Sequence, residues 1–182
     1  MKKITIFLIA AFLALTGCSN KKNTVTSNIV KNGEVYEKDN ISFYYPNTYV
    51  LTFEGVNKAI FQDETGMLSY ERIEKKDANQ KNELVELFRL DLESEGKTIL
   101  SNTSITLDNG DSCQEIVCSD ETMKEKYMIS FDENDMIILS FEADSASYDE
   151  SITSINSYLY SLTIKEEEER IVEEDQKKGD NN

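Results

Sequence analysis

The sequence predicts an α+β fold, an antiparallel sheet flanked by helices, and three observations point to it. Several short stretches alternate apolar with polar residues, the two-residue period of a half-buried strand. Two compact turn signals, Asp108-Asn109-Gly110-Asp111 and Asp132-Glu133-Asn134-Asp135, sit between such stretches and fold neighbouring strands back on each other. Two further segments carry the three-to-four-residue apolar spacing of a helix. A regular strand–helix–strand alternation is missing, which excludes a parallel α/β sheet.

The chain opens with Lys2 and Lys3 and an uncharged apolar run over residues 4–15. At ~1.5 Å per residue this run is too short for a bilayer core of ~30 Å. A basic start followed by a short apolar run is the pattern of a secretory signal, here over residues 1–17. It leads into Leu15-Thr16-Gly17-Cys18, which resembles the bacterial lipobox: an aliphatic residue, two small residues and a cysteine. The resemblance implies cleavage between Gly17 and Cys18, lipidation of the Cys18 sulfur and acylation of the new amino group. One myristoyl-sized chain holds a protein only marginally, at ~0.8 kcal/mol per buried CH₂, whereas two or three chains anchor it stably. Residues 18–40 read as lipid anchor and flexible tether, rich in Ser, Asn, Thr and Lys. Lys21, Lys22 and Lys31 suit a polar spacer and also an anionic membrane surface. A coil of this kind spans roughly 25 Å, so the expected place of the folded part is the extracytoplasmic face of the cell membrane.

Residues 41–165 read as the folded domain. Ile41, Phe43 and Tyr45 alternate with Ser42 and Tyr44, and Pro46-Asn47 ends this first strand because proline cannot donate to a ladder. Short apolar runs over 49–53, 58–62 and 67–73 continue the strands. Leu84, Phe88 and Leu92 then recur at helical spacing, with Val85, Leu87 and Leu90 broadening the stripe, and Gly96 is placed to stop the helix. Strands over 97–107 and 112–119 flank the Asn-Gly turn, and Tyr127, Ile129 and Phe131 precede the second turn. An apolar strand over 136–141 follows it. Ser147 and Glu150 have the spacing of a capping box. From there Tyr148, Ile152, Ile155, Leu159 and Leu162 form one helical stripe, whose natural partner is a sheet. Residues 166–182 read as an acidic, solvated tail.

Together, Ile41-Ser42-Phe43-Tyr44-Tyr45-Pro46, the central helix, the run of hairpins and the closing Tyr148 to Ser161-Leu162-Thr163-Ile164 are similar to PsbP-like domains, which include the DcrB-type bacterial lipoproteins. The resemblance implies an antiparallel sheet flanked by helices and, in most members, binding or assembly roles without catalysis. It rests on the order of elements and carries no catalytic motif.

The chemistry the residues exclude is extensive. Histidine is absent, so a Ser-His-Asp triad, a Cys-His pair and a His-ligated zinc are all ruled out. With 19 basic and 35 acidic residues the net charge is −16, a poor match for nucleic acid. Cys113 and Cys118 lie on opposite faces if their strand is straight, about 16 Å apart, too far for a disulfide unless a turn intervenes. Both are expected to be buried thiols. Asp132, Glu133 and Asp135 lack the order of a calcium loop and fit a hairpin. The expectation is therefore no catalytic residue, no metal site and no cofactor. Tyr44, Tyr158 and Tyr160 are the candidate partner surface, since tyrosine joins an apolar body to a polar tip. The functional expectation is a binding or assembly module held on the membrane by Cys18 and facing a protein partner. The alternative is an extracytoplasmic receptor for a small ligand or metal ion.

Overall fold

The computed structural model describes residues 24–25, 32–75, 81–107 and 109–165. The signal segment, Gly17, Cys18 and the acidic tail at 166–182 lie outside them. In chain order the elements are β1 (Thr24–Val25), β2 (Gly33–Lys38), β3 (Ile41–Pro46), β4 (Val50–Glu54), β5 (Lys58–Asp63) and β6 (Gly66–Glu74). Then come α1 (Lys81–Ser94), β7 (Thr98–Leu107), β8 (Ser112–Ser119), β9 (Met123–Phe131), β10 (Asp135–Asp144), α2 (Tyr148–Leu159) and β11 (Thr163–Ile164). The fold is α+β and its sheets are antiparallel, apart from the short parallel pairing of β1 with β7.

Eight strands form the large sheet in the order β1-β7-β8-β9-β10-β6-β5-β4, and β11-β3-β2 form a small one. One face of the large sheet presents Phe61, Leu68, Tyr70, Ile137, Leu139 and Phe141. Over it lie Ile41 and Phe43 of the small sheet and Tyr148, Ile155 and Leu159 of α2. The other face presents Ile116, Cys118, Ile129, Met136 and Ile138, and α1 packs on it through Leu92, with Leu84, Val85 and Phe88 half-buried. The result is helix and small sheet on one side, helix on the other, with a core on each face.

Three local expectations change. The range assigned to the tether, residues 18–40, contains the strand β2, paired with β3 from Gly33↔Pro46 to Lys38↔Ile41. Its anchor is the single aromatic Tyr36, packed at 5.2 Å from the Phe43 ring and 5.3 Å from that of Phe61. Leu87 and Leu90 do not broaden the buried stripe of α1 but are exposed. At about 100° per residue they fall well outside the arc from Leu84 through Phe88 to Leu92, Leu90 nearly opposite it. Ser147 makes no capping box: its hydroxyl turns back to the Asp144 carbonyl at 3.2 Å and no side-chain cap forms. The run at 49–53 forms the strand β4 from Val50, and it is the edge strand of the large sheet.

Two glycines are needed where they stand. Gly96 takes φ 88° at the end of α1, where the Lys97 N–H reaches the Leu92 carbonyl at 3.1 Å and closes the helix. At Gly66, in the β5–β6 turn, a Cβ would meet the Glu142 carbonyl and the Phe141 ring, each at 2.6 Å.

Candidate functional site

The edges of the two sheets differ in how they are closed. On the far side of the large sheet β1 lies along β7 at Thr106 and Leu107. At the near side β4 is the last strand, and all five of its residues are exposed. Val50 is 64% exposed and Phe53 50%, and Val56 in the following turn is 84% exposed. Val50 pairs with Gln62 and Phe53 with Ile60, so both share the face that half-buries Ile60. Leu51 pairs with Phe61 and faces the aromatic core. A register shift between Leu51 and Phe53 bends the strand. The edge strand of the small sheet, β2, runs close by: the Tyr36 hydroxyl donates to Glu54 at 3.1 Å, and the Lys38 ammonium donates to the Gly55 carbonyl.

The three candidate tyrosines divide. Tyr44 is exposed on the outer face of the small sheet opposite the exposed Val35, and its backbone N–H donates to Ser161 Oγ at 2.8 Å. The same hydroxyl donates to the Tyr158 carbonyl at 2.6 Å, so Tyr44 and Tyr158 meet through Ser161. Tyr160 turns inward. Its hydroxyl donates to Glu115 at 3.0 Å and accepts from Lys126 at 2.7 Å, whose ammonium also lies 4.7 Å from the ring centre. Burial, then the Glu115 carboxylate, pushes the Tyr160 hydroxyl well above the ordinary tyrosine range.

Two buried ion clusters flank the sheet, one on each face. Lys126 pairs with Glu115 at 2.7 Å and donates to Asn156 of α2 at 2.9 Å. On the α1 face Lys97 donates to both oxygens of Glu125 at 2.5 and 2.6 Å, and the Tyr127 hydroxyl donates to the same carboxylate. Each charge has its counter-charge in place, which suits structure more than proton transfer.

Cys113 belongs to the core under α2 and Cys118 to the core under α1, as the five-residue spacing implies for opposite faces. Both are free and buried. Burial pushes the Cys113 thiol up to about 11 and the Cys118 thiol up to about 12, the latter with the Glu125 carboxylate also opposing ionisation. Since the thiolate is the reactive form, Cys113 and Cys118 in the native full chain should react slowly with Ellman's reagent at pH 8 and promptly after unfolding in guanidinium. Cys18 is set to Ser in that assay so that only the two core thiols are read. A prompt native reaction would show that one of them is reachable.

A polar cleft of about 940 Å³ opens at one end of the sheets, lined among others by Asn40, Arg72, Lys81, Ser130, Asp132 and Asp135. Arg72 donates to Asn40 at 2.5 Å and lies 3.5 Å from Asp135 and 3.7 Å from Asp39, while its buried Nε has no partner among the described residues. Asp132 accepts the N–H groups of Asn134 and Asp135 with one oxygen, at 2.8 and 2.6 Å, and Asn40 with the other at 3.2 Å. Burial opposes its charge, but these backbone donors more than offset it and hold the carboxyl below the usual range. Asp132 is thus committed to its turn.

No protein family matches the chain by sequence, and no curated protein does. Solved structures do match in shape. The solution structure of cyanobacterial PsbP (CyanoP) from Synechocystis sp. PCC 6803 superposes with a TM-score of 0.58 at 12% identity, covering 73% of this chain and 92% of that one. A Pseudomonas aeruginosa protein of unknown function superposes with a TM-score of 0.51 at 11% identity, covering 74% and 99%. The chain therefore has an α+β fold of the PsbP-like kind. At this identity the likeness is one of fold and not of activity.

Sequence reasoning recognised the strand at 49–53 but not its exposure. Four apolar residues within five positions look like core, and only the order of strands in the sheet makes β4 an edge. The absence of lysine and proline from Val50-Leu51-Thr52-Phe53-Glu54 was the one signal present, and it carries meaning only once the strand is known to be terminal.

Proposed function

We propose that the protein is a lipid-anchored, extracytoplasmic binding module without catalytic activity, and that it holds a protein partner at the β4 edge. The observation that carries the reading is the exposure of Val50, Leu51, Phe53 and Val56 at a sheet edge that no strand among the described residues pairs with. Apolar groups gathered at an exposed edge favour association. The anchor is supported by the basic start, the short apolar run and Leu15-Thr16-Gly17-Cys18. Among the described residues no helix is long and apolar enough to cross a membrane, so in this reading attachment falls to Cys18. Cys18→Ala is expected to move the protein out of the membrane fraction or to leave it unprocessed, read by fractionation and intact mass. Unchanged processing together with unchanged membrane retention would sink the anchor. A photo-crosslinking residue at position 53, in cells, tests the partner: adducts are expected there and not from position 154 on the exposed side of α2.

A second reading, a receptor for a small ligand, is favoured by the cleft of about 940 Å³ and the Arg72 Nε, which has no partner among the described residues.

A further inference from the structure

We propose that β4 takes an extended, basic segment of its partner polypeptide as an added strand, an inference that rests on the protein-partner reading above and names the partner's chemistry. The last strand of a sheet has one row of N–H and C=O groups without a neighbouring strand, and an extended peptide can pair with it through its main chain. Proteins usually guard such an edge with lysine, proline or a covering segment. The edge strand β2 carries Glu34, Glu37 and Lys38, and β7 is covered by β1 at Thr106 and Leu107. The strand Val50-Leu51-Thr52-Phe53-Glu54 has no lysine, arginine or proline, and its single acid, Glu54, is held by Tyr36 at one end.

Side chains then set what fits. An added strand would lay its apolar residues over Val50 and Phe53 on one face and turn its alternate residues to the other, where Glu54 lies beside Leu51. Charge sets the rest of its composition. Glu34, Glu37 and Glu54 are exposed around this edge. Of the nearby lysines, Lys38 is engaged by the Gly55 carbonyl and Lys58 is paired with Glu71 at 3.3 Å. The chain as a whole carries −16. A segment alternating apolar with basic residues meets both demands, and the acidic field steers it in. A second copy of this chain fails on charge and on register: two edges would bring like charges together, and the shift at Leu51/Phe53 breaks the register that identical edges need.

The full chain in detergent micelles, titrated with short synthetic peptides, decides the matter. The probes are a peptide alternating lysine with valine and its counterpart alternating glutamate with valine. The lysine peptide should bind about ten-fold or more tighter by fluorescence anisotropy, a preference that weakens with added salt. Amide hydrogen exchange at residues 50–54 should slow when it binds. The double variant Val50→Lys/Phe53→Lys, at positions already half or more exposed, should lose that binding about ten-fold while melting like the parent. Equal binding of the two peptides, or unchanged exchange at 50–54, overturns the inference. So does sedimentation of the full chain as a dimer with 50–54 already protected, which would make a second copy the occupant. Should position 53 still crosslink to a partner in cells while the peptides fail, strand addition by a basic segment is wrong and the partner reading stands. Absence of both adducts and peptide binding overturns the two together.

Discussion

Replacing Lys97 by alanine should destabilise the fold by about 3–5 kcal/mol, the cost of leaving a buried charge without its partner. Glu125 is only 4% exposed, and Lys97 supplies the ammonium that both of its oxygens accept. Without Lys97 the carboxylate keeps the Tyr127 hydroxyl and sits beside the Cys118 thiol at 4.0 Å, neither of which carries positive charge. The double variant Lys97→Met/Glu125→Leu removes both charges and should recover most of the loss, since a buried pair often adds little over apolar side chains of the same size. Guanidinium unfolding with an unchanged slope is the measurement. A Lys97→Ala protein within about 0.5 kcal/mol of the parent would show that the pair contributes nothing. Alkali offers an independent check. Burial works against the Lys97 ammonium, but the Glu125 carboxylate more than offsets it, so its folded pKa lies above the ordinary lysine value. A raised pKa adds stability that is fully present below the unfolded value, ~10.4, and is lost as pH rises through the folded one. Above about pH 10 the parent should therefore lose stability faster than the Lys97→Met/Glu125→Leu variant.

What was legible in the sequence was local. Asn109-Gly110 announces the β7–β8 hairpin because Gly110 has to take φ 90°. Gly96 announces the end of α1 for the same reason, and the spacing of Tyr148, Ile155 and Leu159 announces the face of α2 that is buried. The odd spacing of Cys113 and Cys118 placed them on opposite faces, where they are. What escaped depends on residues far apart in the chain. β2 reads as polar because Gly33, Glu34, Glu37 and Lys38 surround Val35 and Tyr36, and only its ladder with β3 and the ring of Tyr36 make it a strand. Lys97 follows a helix stop and Glu125 opens a hairpin strand, and no periodicity links positions 28 apart. The candidate surface suffered likewise. Tyr44, Tyr158 and Tyr160 share a residue type, yet Ser161 joins the first two while Lys126 and Glu115 draw the third inward.

Leu159→Ala should cost about 2–5 kcal/mol, because the side chain is fully buried between α2 and the sheet and its removal leaves a cavity that a packed core refills only in part. Against a total of ~5–15 kcal/mol for a domain, such a loss is large. The neighbouring position Asn156 separates two views of this helix. It lies beside the apolar stripe, so periodicity alone forecasts little effect on truncation. In the folded chain, however, its Oδ1 accepts from Lys126, an ammonium 5% exposed beneath α2, at 2.9 Å. A hydrogen bond to a charged group contributes about 1.5–3 kcal/mol, and Lys126 keeps Glu115 and Tyr160, so Asn156→Ala should fall at the lower end of that range. Ser154→Ala, exposed on the same helix and bonded only to the Ser151 carbonyl at 2.9 Å, should stay within about 0.5 kcal/mol of the parent. Thermal and denaturant unfolding of the three variants should rank them Leu159→Ala, Asn156→Ala, Ser154→Ala in order of loss. If Asn156→Ala matches Ser154→Ala, the Lys126 ammonium is satisfied by Glu115 and Tyr160 alone, and α2 is held to the sheet by its apolar face without help from the polar contact beside it.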